Sequence, residues 1–499
     1  MQFSASMPRA SGRRLGAVLA CAGLLLAAAL FMFVDRRTTP IILWDESRLA
    51  VNALEMSQTG WSLVTTYGFA PDLWNTKPPL MIWLMNASIH LFGASELALR
   101  LPAMLAALGT LAIVFAFTRR ATRSLATAAL ATLLLTISLG FYGEHGARTA
   151  DYDALLCFCT TGYLALLFLA VHRRRPGWRR LLLAFALVAA AAMTKTVAGL
   201  VPGLGVALYL LVTARLGRTL ADPRYPALLL LALAPLAWFY WAREQAAPGY
   251  LAAVWHNDLA GRFHDNIATP GATPTYYLEL LFSGLFCAGP LVLFAPLGLL
   301  RARGRQRQAL LFALCCVVAL LAVLTATATK LAQYLLPALP WLAIACAITI
   351  GQWLPNLVRA RRPLARLALL AVLAAVALDI GHRTLVMRYD LLVERAHYPQ
   401  ARYGALFAAL HDRGVTRVTV VEPGIPLERI RAYQPQLRYY ALLWNRRGMA
   451  IDWHPDATIP AAATALASCD PDLRAALLGP GRRGIEAGGC TVAFPRPRG

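Results

Sequence analysis

Lysine is nearly missing from this chain: Lys77, Lys195 and Lys330 stand against a combined 48 lysines and arginines. Phosphate-cradling signatures are missing as well. No Walker sequence and no Gly-x-Gly-x-x-Gly fingerprint occurs, which excludes the common nucleotide-binding enzymes. No repeat of solenoid length is found, which excludes a stacked-repeat scaffold. Charge itself is scarce, at 15% of residues, while 58% are apolar and the mean hydropathy is +0.54. An ordinary soluble domain carries nearer a quarter of its residues charged. Within the 499 residues there are only 25 acids, which leaves a net charge of +23.

What is present explains what is lacking. The apolar residues gather into blocks near the roughly 20 residues that cross a hydrocarbon core. Arginine clusters punctuate these blocks at Arg13-Arg14, Arg119-Arg120, Arg173 to Arg175, Arg215 with Arg218, Arg301 to Arg307 and Arg359 to Arg362. Short arginine-rich loops between apolar blocks mark the cytoplasmic side. The positive charge is therefore topological, and no nucleic-acid partner is expected. The pattern predicts eleven spans, at about 15–34, 97–117, 124–142, 154–171, 180–194, 197–214, 225–242, 276–300, 309–328, 331–350 and 364–382. The first lacks a small-residue cleavage site and is read as a retained helix. Outer loops then fall at 35–95, 143–153 and 243–275.

The expected fold is thus an all-α polytopic membrane domain over 1–382, followed by a small extracytoplasmic α/β domain over 383–499. In that second part Tyr398 to His411 reads as a helix, and Val415 to Val421 and Thr491 to Phe494 read as strands. Its two cysteines, Cys469 and Cys490, would lie in an oxidising compartment and could pair. The other seven cysteines fall in spans and read as small apolar residues.

The three lysines all map to the outer ends of membrane segments, where a compact ammonium suits contact with a phosphate. Snorkelling at a bilayer edge, which also favours lysine, is the alternative explanation, and the functional one is preferred. Most acids before residue 383 are also on the outer side, and Asp45, Asp151 and Asp153 lie close to span ends. Acids at that depth are costly unless they face a cavity or a partner. The first outer loop concentrates the candidates. It reads Trp44-Asp45-Glu46-Ser47-Arg48, then a helical stretch with Leu49, Ala53 and Met56 on one face, then Asn75-Thr76-Lys77-Pro78-Pro79-Leu80. The stretch is expected to lie in the membrane interface. The two prolines set a turn that leaves Lys77 extended.

These segments resemble a known family. Asp45-Glu46-Ser47-Arg48 followed by Lys77-Pro78-Pro79-Leu80 and Trp83 is similar to the first loop of bacterial aminoarabinose transferases and related polyprenyl-phosphate glycosyltransferases. Those enzymes are relatives of the protein O-mannosyltransferases and share the GT-C membrane fold. Arg148 with Asp153-Ala154-Leu155 resembles the family's Arg-x4-Asp-Ala-Leu segment. Arg262-Phe263 resembles a later loop, and Thr329-Lys330-Leu331 with Tyr334 and Pro337 its Lys-Leu-x-x-Tyr-x-x-Pro segment. The likeness runs over about residues 40–340.

The resemblance implies a multi-pass enzyme of the bacterial inner membrane with its C-terminal domain in the periplasm. Its donor would be a sugar on a polyprenyl phosphate, and its acceptor a lipid such as lipid A, a glycan or a protein. Loss of a phosphate leaving group needs charge stabilisation more than a proton, which gives Lys77, Arg148, Arg262, Lys195, Lys330 and Tyr334 substrate-binding roles. Asp45 could accept the acceptor hydroxyl's proton, with Glu46 and Asp153 as further catalytic candidates. Attack opposite the leaving group would invert the anomeric carbon.

Asp151 and Asp153 point in nearly opposite directions on a helix, and the Arg-x4-Asp spacing favours Asp153 for the cleft. No cofactor is required by this chemistry. His256, Asp258, His264 and Asp265 could ligate a divalent ion, but Thr76 stands where the aminoarabinose branch often has an acid. The rival class is a secondary transporter or lipid flippase. It would place charges near the bilayer midplane rather than at one face.

Overall fold

In a computed structural model the described residues are 9–33, 41, 45–260, 273–358, 402–423, 425–427, 430–455, 465–479 and 482–495, with scattered positions between 367 and 385. The helices used below are α1 (Arg9–Phe33), α2 (Asp45–Thr59), α3 (Leu80–Phe92), α4 (Glu96–Thr122), α5 (Leu125–Thr136), α6 (Tyr152–Val171), α7 (Trp178–Leu200), α8 (Leu204–Val212), α9 (Arg224–Ala246), α10 (Gly304–Ala326), α11 (Leu339–Val358), α12 (Tyr403–His411) and α13 (Pro435–Asn445). The chain forms two compact units. One comprises 1–34, 73–81 and 102–385, and the other 35–72, 82–101 and 386–499.

Among the described residues the first unit is built of helices joined by loops. Among the described residues seven stretches are long and apolar enough to cross a membrane, including Glu96–Thr122, Tyr152–Val171, Arg224–Ala246 and Gly304–Ala326. Small residues let these helices approach closely, as is usual in membrane bundles. A Cβ on Gly205 would lie 2.6 Å from the Cα of Cys316, and one on Gly162 would lie 2.7 Å from Leu187. Larger rings fill the core between them: Phe117, Phe168, Phe312 and Trp341 meet edge to face or tilted, at centroid distances of 5.0 to 5.3 Å.

Two expected spans, 180–194 and 197–214, are the arms of one hairpin whose tip is Lys195-Thr196. Both tip residues leave helical geometry, with φ −149° and +43°. The returning arm brings the Gly199 carbonyl 3.1 Å from the Tyr163 hydroxyl, and then the Tyr209 hydroxyl 3.0 Å from His172 Nε2. Asp153 and Lys195 therefore mark one end of the bundle. Arg119, Arg173 to Arg175 and Arg215 mark the other.

Two expected spans take a different form. The segment 276–300 is broken into short pieces (Tyr276–Leu280, Leu281–Leu285, Gly289–Val292 and Ala295–Leu300) rather than one crossing helix. Gly284 in the left-handed region, Gly289-Pro290 and Pro296 account for the breaks. The segment 124–142 stops helical geometry at Ile137, so α5 is only 12 residues long. The span expected at 364–382 lies largely outside the described residues.

The second unit is built on a five-stranded mixed sheet. Its strands are β1 (Arg417–Val421), β2 (Ala450–His454), β3 (Ala465–Ser468), β4 (Arg482–Ala487) and β5 (Cys490–Pro495), in the order β2-β1-β3-β5-β4. β1 pairs in parallel with β2 and β3, whereas β5 runs antiparallel to β3 and β4. Val421, Leu466, Leu473, Leu477 and Ala493 form its apolar core. Cys469 and Cys490 are bonded, linking the residue after β3 to the start of β5.

The same unit contains α2, and here the expectation of a helix lying in the membrane interface is corrected. Every residue from Glu46 to Met56 is buried, and the helix packs on α13. Its charges read as a polar face in the sequence, yet each of three is paired inside the unit. Glu46 takes two hydrogen bonds from Arg100, at 2.7 and 3.0 Å. Arg48 grips Asp72 through two nitrogens at 2.9 and 2.6 Å, and Glu55 accepts from Arg438 at 2.9 Å.

Candidate active site

The first unit holds a cavity whose walls are apolar (Leu156, Val197, Val201, Leu320, Val323) and whose polar lining is concentrated in Lys77, Asp153, Lys195, Thr196, Asp258, Thr329 and Tyr334. Each polar group arrives by a local rule. Asp153 stands in the first turn of α6, where the helix dipole favours a carboxylate. Asp151, two residues earlier, is the N-cap: its Oδ1 accepts from the Tyr152 amide at 2.6 Å. The hairpin tip puts Lys195 opposite, and its ammonium reaches both Asp153 oxygens, at 2.7 and 2.8 Å. The pair is buried, with the side chains 11% and 2% exposed. Thr196 holds the tip with φ +43°, a conformation that costs a threonine on the order of 1–2 kcal/mol.

Lys77 is presented by a clamped segment. The Tyr152 hydroxyl donates to Asn75 Oδ1 at 3.0 Å, and the Tyr250 hydroxyl donates to the Thr76 carbonyl at 2.5 Å. The Thr76 hydroxyl donates to Asp258 at 2.5 Å. With Pro78 and Pro79 following, the backbone before the ammonium is held from both sides. The Lys77 nitrogen lies 5.7 Å from the Tyr152 ring, and the Lys195 nitrogen 5.6 Å from the Tyr334 ring. Both distances allow a cation–π contact. Two ammonium groups at the mouth of an apolar cavity suit an amphiphile that carries a phosphate on a long hydrocarbon chain.

Of the residues predicted from sequence, Lys77, Asp153, Lys195 and Tyr334 come together in this cavity. Lys330 does not line it; its ammonium donates to the carbonyls of Thr325 and Thr327, at 3.2 and 2.6 Å. That lysine caps the end of α10. Arg148 is buried in the loop before α6. Arg262, His264 and Asp265 lie outside the described residues, while Asp258 is held by Thr76. Asp45, the exposed first residue of α2, and Glu46, bound to Arg100, belong to the second unit.

Sequence reasoning left four contributors unassigned: Asn75, Tyr152, Tyr250 and His145. Asn75 sits inside the quoted Asn-Thr-Lys-Pro-Pro run and could have been found there. His145 binds Asp151. Burial pushes the Asp151 carboxyl up, but the hydrogen bond and charge of His145, with Lys195 and the Tyr152 amide, outweigh it and hold the group at about 2. Asp151 is thereby kept anionic as a structural acid, apart from the cavity carboxylate.

Residues 76–241 match the protein family described as dolichyl-phosphate-mannose-protein mannosyltransferase. An uncharacterized protein of Aquifex aeolicus (strain VF5) is 25% identical over 325 residues, 65% of this chain, and the chain spans 62% of that relative's length. Among solved structures, ArnT from Cupriavidus metallidurans bound to undecaprenyl phosphate is similar, with a TM-score of 0.68 and 18% identity over 95% of this chain and 97% of that one. The archaeal oligosaccharyltransferase AglB from Archaeoglobus fulgidus, in complex with an inhibitory peptide and a dolichol phosphate, gives a TM-score of 0.50 and 13% identity over 74% and 56%. The likeness to ArnT extends over nearly the whole of both chains.

Proposed function

We propose that this chain, whose fold is that of the GT-C membrane glycosyltransferases, transfers a sugar from a polyprenyl-phosphate donor to an acceptor at the end of the bundle where Lys77 and Lys195 lie. The observation that carries the reading is the cavity itself: apolar walls for a polyprenyl chain, and two lysines beside one buried carboxylate where its phosphate would sit. The bound undecaprenyl phosphate of the similar ArnT structure supports the same donor class.

In this mechanism the bond between the anomeric carbon and the donor's phosphate oxygen breaks as an acceptor oxygen attacks from the opposite face, so the configuration inverts. The departing phosphate gains a negative charge. Lys77 and Lys195 stabilise it with charge-assisted hydrogen bonds, and the apolar walls make each one stronger than it would be in bulk water. Asp153 orients Lys195 and limits the net positive charge of the empty cavity. A hydroxyl acceptor must also lose a proton, and Asp45 is proposed as the carboxylate that takes it. No cofactor enters these steps. The acceptor class is a lipid of the lipid A kind, a glycan or a protein, and the setting is the periplasmic face of a bacterial inner membrane.

The test compares membrane lipids and glycans, by mass spectrometry, from cells lacking the gene and cells complemented with the parent, Lys77→Ala or Asp45→Asn. The parent is expected to restore a sugar adduct that both variants fail to restore. An unchanged glycan profile on deletion overturns the enzyme reading. Full rescue by Asp45→Asn removes Asp45 from the mechanism, and parent-like donor affinity in Lys77→Ala removes Lys77 as a phosphate contact.

A further inference from the structure

A second cavity lies at the opposite end of the α6–α7 pair from Lys195. Arg119, Arg120, Arg123 and Arg305 line one part of it, and the rest is apolar, with Phe117, Phe158, Leu166 and Leu169 among its walls. No acid lines it. We propose that it is a binding site for an acidic phospholipid of the cytoplasmic leaflet, with the phosphate diester among the arginines and an acyl chain between α4, α6 and α7.

The bland explanation, that arginines merely mark the cytoplasmic side, leaves three observations without a reason. First, these arginines line one open cavity with an apolar remainder. Arg173 to Arg175 mark the same side of the bundle and do not line it. Second, Arg119 Nε is buried and has no hydrogen-bond partner, and among the described residues no carboxylate pairs with any of the four. A buried donor is nearly always satisfied, so an unmatched one at a cavity points to a missing acceptor. Third, α4 closes with Arg123 in the left-handed region, at φ +59°, where its amide donates to the Arg119 carbonyl at 2.9 Å. Glycine takes that position at much lower cost. The strained arginine joins Arg119 and Arg120, and the Gln306 side chain, donating to the Thr122 carbonyl at 3.2 Å, ties the start of α10 beside them. Arg119 is half-buried and Arg120, Arg123 and Arg305 are exposed around it, so guanidinium forks gather where they can meet a phosphate bidentately.

The choice of occupant follows from position and charge. The site is at the arginine-rich end, which the positive-inside rule assigns to the cytoplasmic face, and that leaflet supplies the anionic glycerophospholipids. A zwitterionic lipid would leave the cluster uncompensated.

The full chain, purified and placed in nanodiscs of phosphatidylcholine with or without phosphatidylglycerol, is to be released and weighed by native mass spectrometry. The parent is expected to retain phosphatidylglycerol in preference to phosphatidylcholine. The triple variant Arg119→Ala, Arg120→Ala, Arg123→Ala should hold it about 100-fold more weakly, as the loss of three basic contacts near a headgroup implies. A control triple variant, Arg173→Ala, Arg174→Ala, Arg175→Ala, should retain it as the parent does. Leu169→Trp keeps every charge but fills the acyl channel, and should lose the lipid too. That second variant decides the matter even if the arginine triple fails to fold. Equal retention of the two phospholipids by the parent overturns the proposal. Phosphatidylglycerol held by Leu169→Trp as by the parent does the same. So does displacement of phosphatidylglycerol by equimolar undecaprenyl phosphate, which would identify the site as one for the donor's lipid.

Discussion

Replacing Asp153 by asparagine removes one charge and almost no volume, so its effect isolates the ion pair. In the parent the Lys195 ammonium is matched by two carboxylate oxygens at 2.7 and 2.8 Å in a site with little solvent. Breaking such a pair from one side leaves a buried charge uncompensated, at a cost of about 3–5 kcal/mol. For a unit of this size that corresponds to a fall in melting temperature of roughly 4–7 °C. Removing both partners, as Asp153→Asn with Lys195→Met, leaves no orphan charge and should recover most of the loss. The double-mutant cycle in detergent should therefore give a coupling of about 2–3 kcal/mol. Polyprenyl phosphate sharpens the test. An anion can replace the lost carboxylate beside Lys195, so added lipid should raise the melting temperature of Asp153→Asn by more than it raises that of the parent, even though transfer is impaired. Single effects that simply add, or a lipid-induced shift no larger in Asp153→Asn than in the parent, refute the reasoning.

Three further outcomes are expected. Glu46→Gln should lower the melting temperature of the second unit by unpairing Arg100, with a loss of about 3 kcal/mol; a variant that melts like the parent but loses turnover would restore Glu46 as a catalyst. Cys469→Ser should destabilise the mixed sheet by about 3 kcal/mol, the scale for a loop of this size, and limited proteolysis with and without reductant measures it; equal cleavage in both states counts against the bond. The Asp151 carboxyl is held at about 2, below its unfolded value near 3.9, so its stabilisation is complete above about pH 4 and is lost as the pH falls through 2. The melting gap between the parent and Asp151→Asn should be full near pH 5 and smaller near pH 3, and a gap that widens on acidification refutes the assignment.

Much of the helical unit was legible because its signals are local. Apolar length, arginine clusters and a break at Lys195-Thr196 each appear in a short window of sequence, and so does the Asn-Thr-Lys-Pro-Pro run that presents Lys77. What escaped was long-range. The buried charges of α2 looked like a polar face, because their partners lie up to 385 residues away, as Tyr433 does from Arg48. The breaks within 276–300 were written in Gly284, Gly289 and Pro296, but the mean hydropathy of the stretch concealed them. Lys330 is ambiguous in the sequence for a simpler reason. A lysine that caps carbonyls at a helix end and one that faces a cavity have the same sequence, and only the orientation of the side chain separates them.

The unit that contains the five-stranded sheet is assembled from three stretches of chain, 35–72, 82–101 and 386–499. During synthesis its first stretch emerges early, with Arg48 and Glu55 already in place. Tyr433 and Arg438, which complete their surroundings, are 385 and 383 residues further along. At the ordinary pace of a ribosome that is a wait of roughly 20 to 80 seconds. Through that interval Glu55 lacks the Arg438 guanidinium that pairs with it in the finished protein. A nonsense mutation near residue 386 would therefore do more than trim a terminal appendage. It would strand the opening loop in its nascent condition, with the transmembrane bundle complete and the partner of α2 never made.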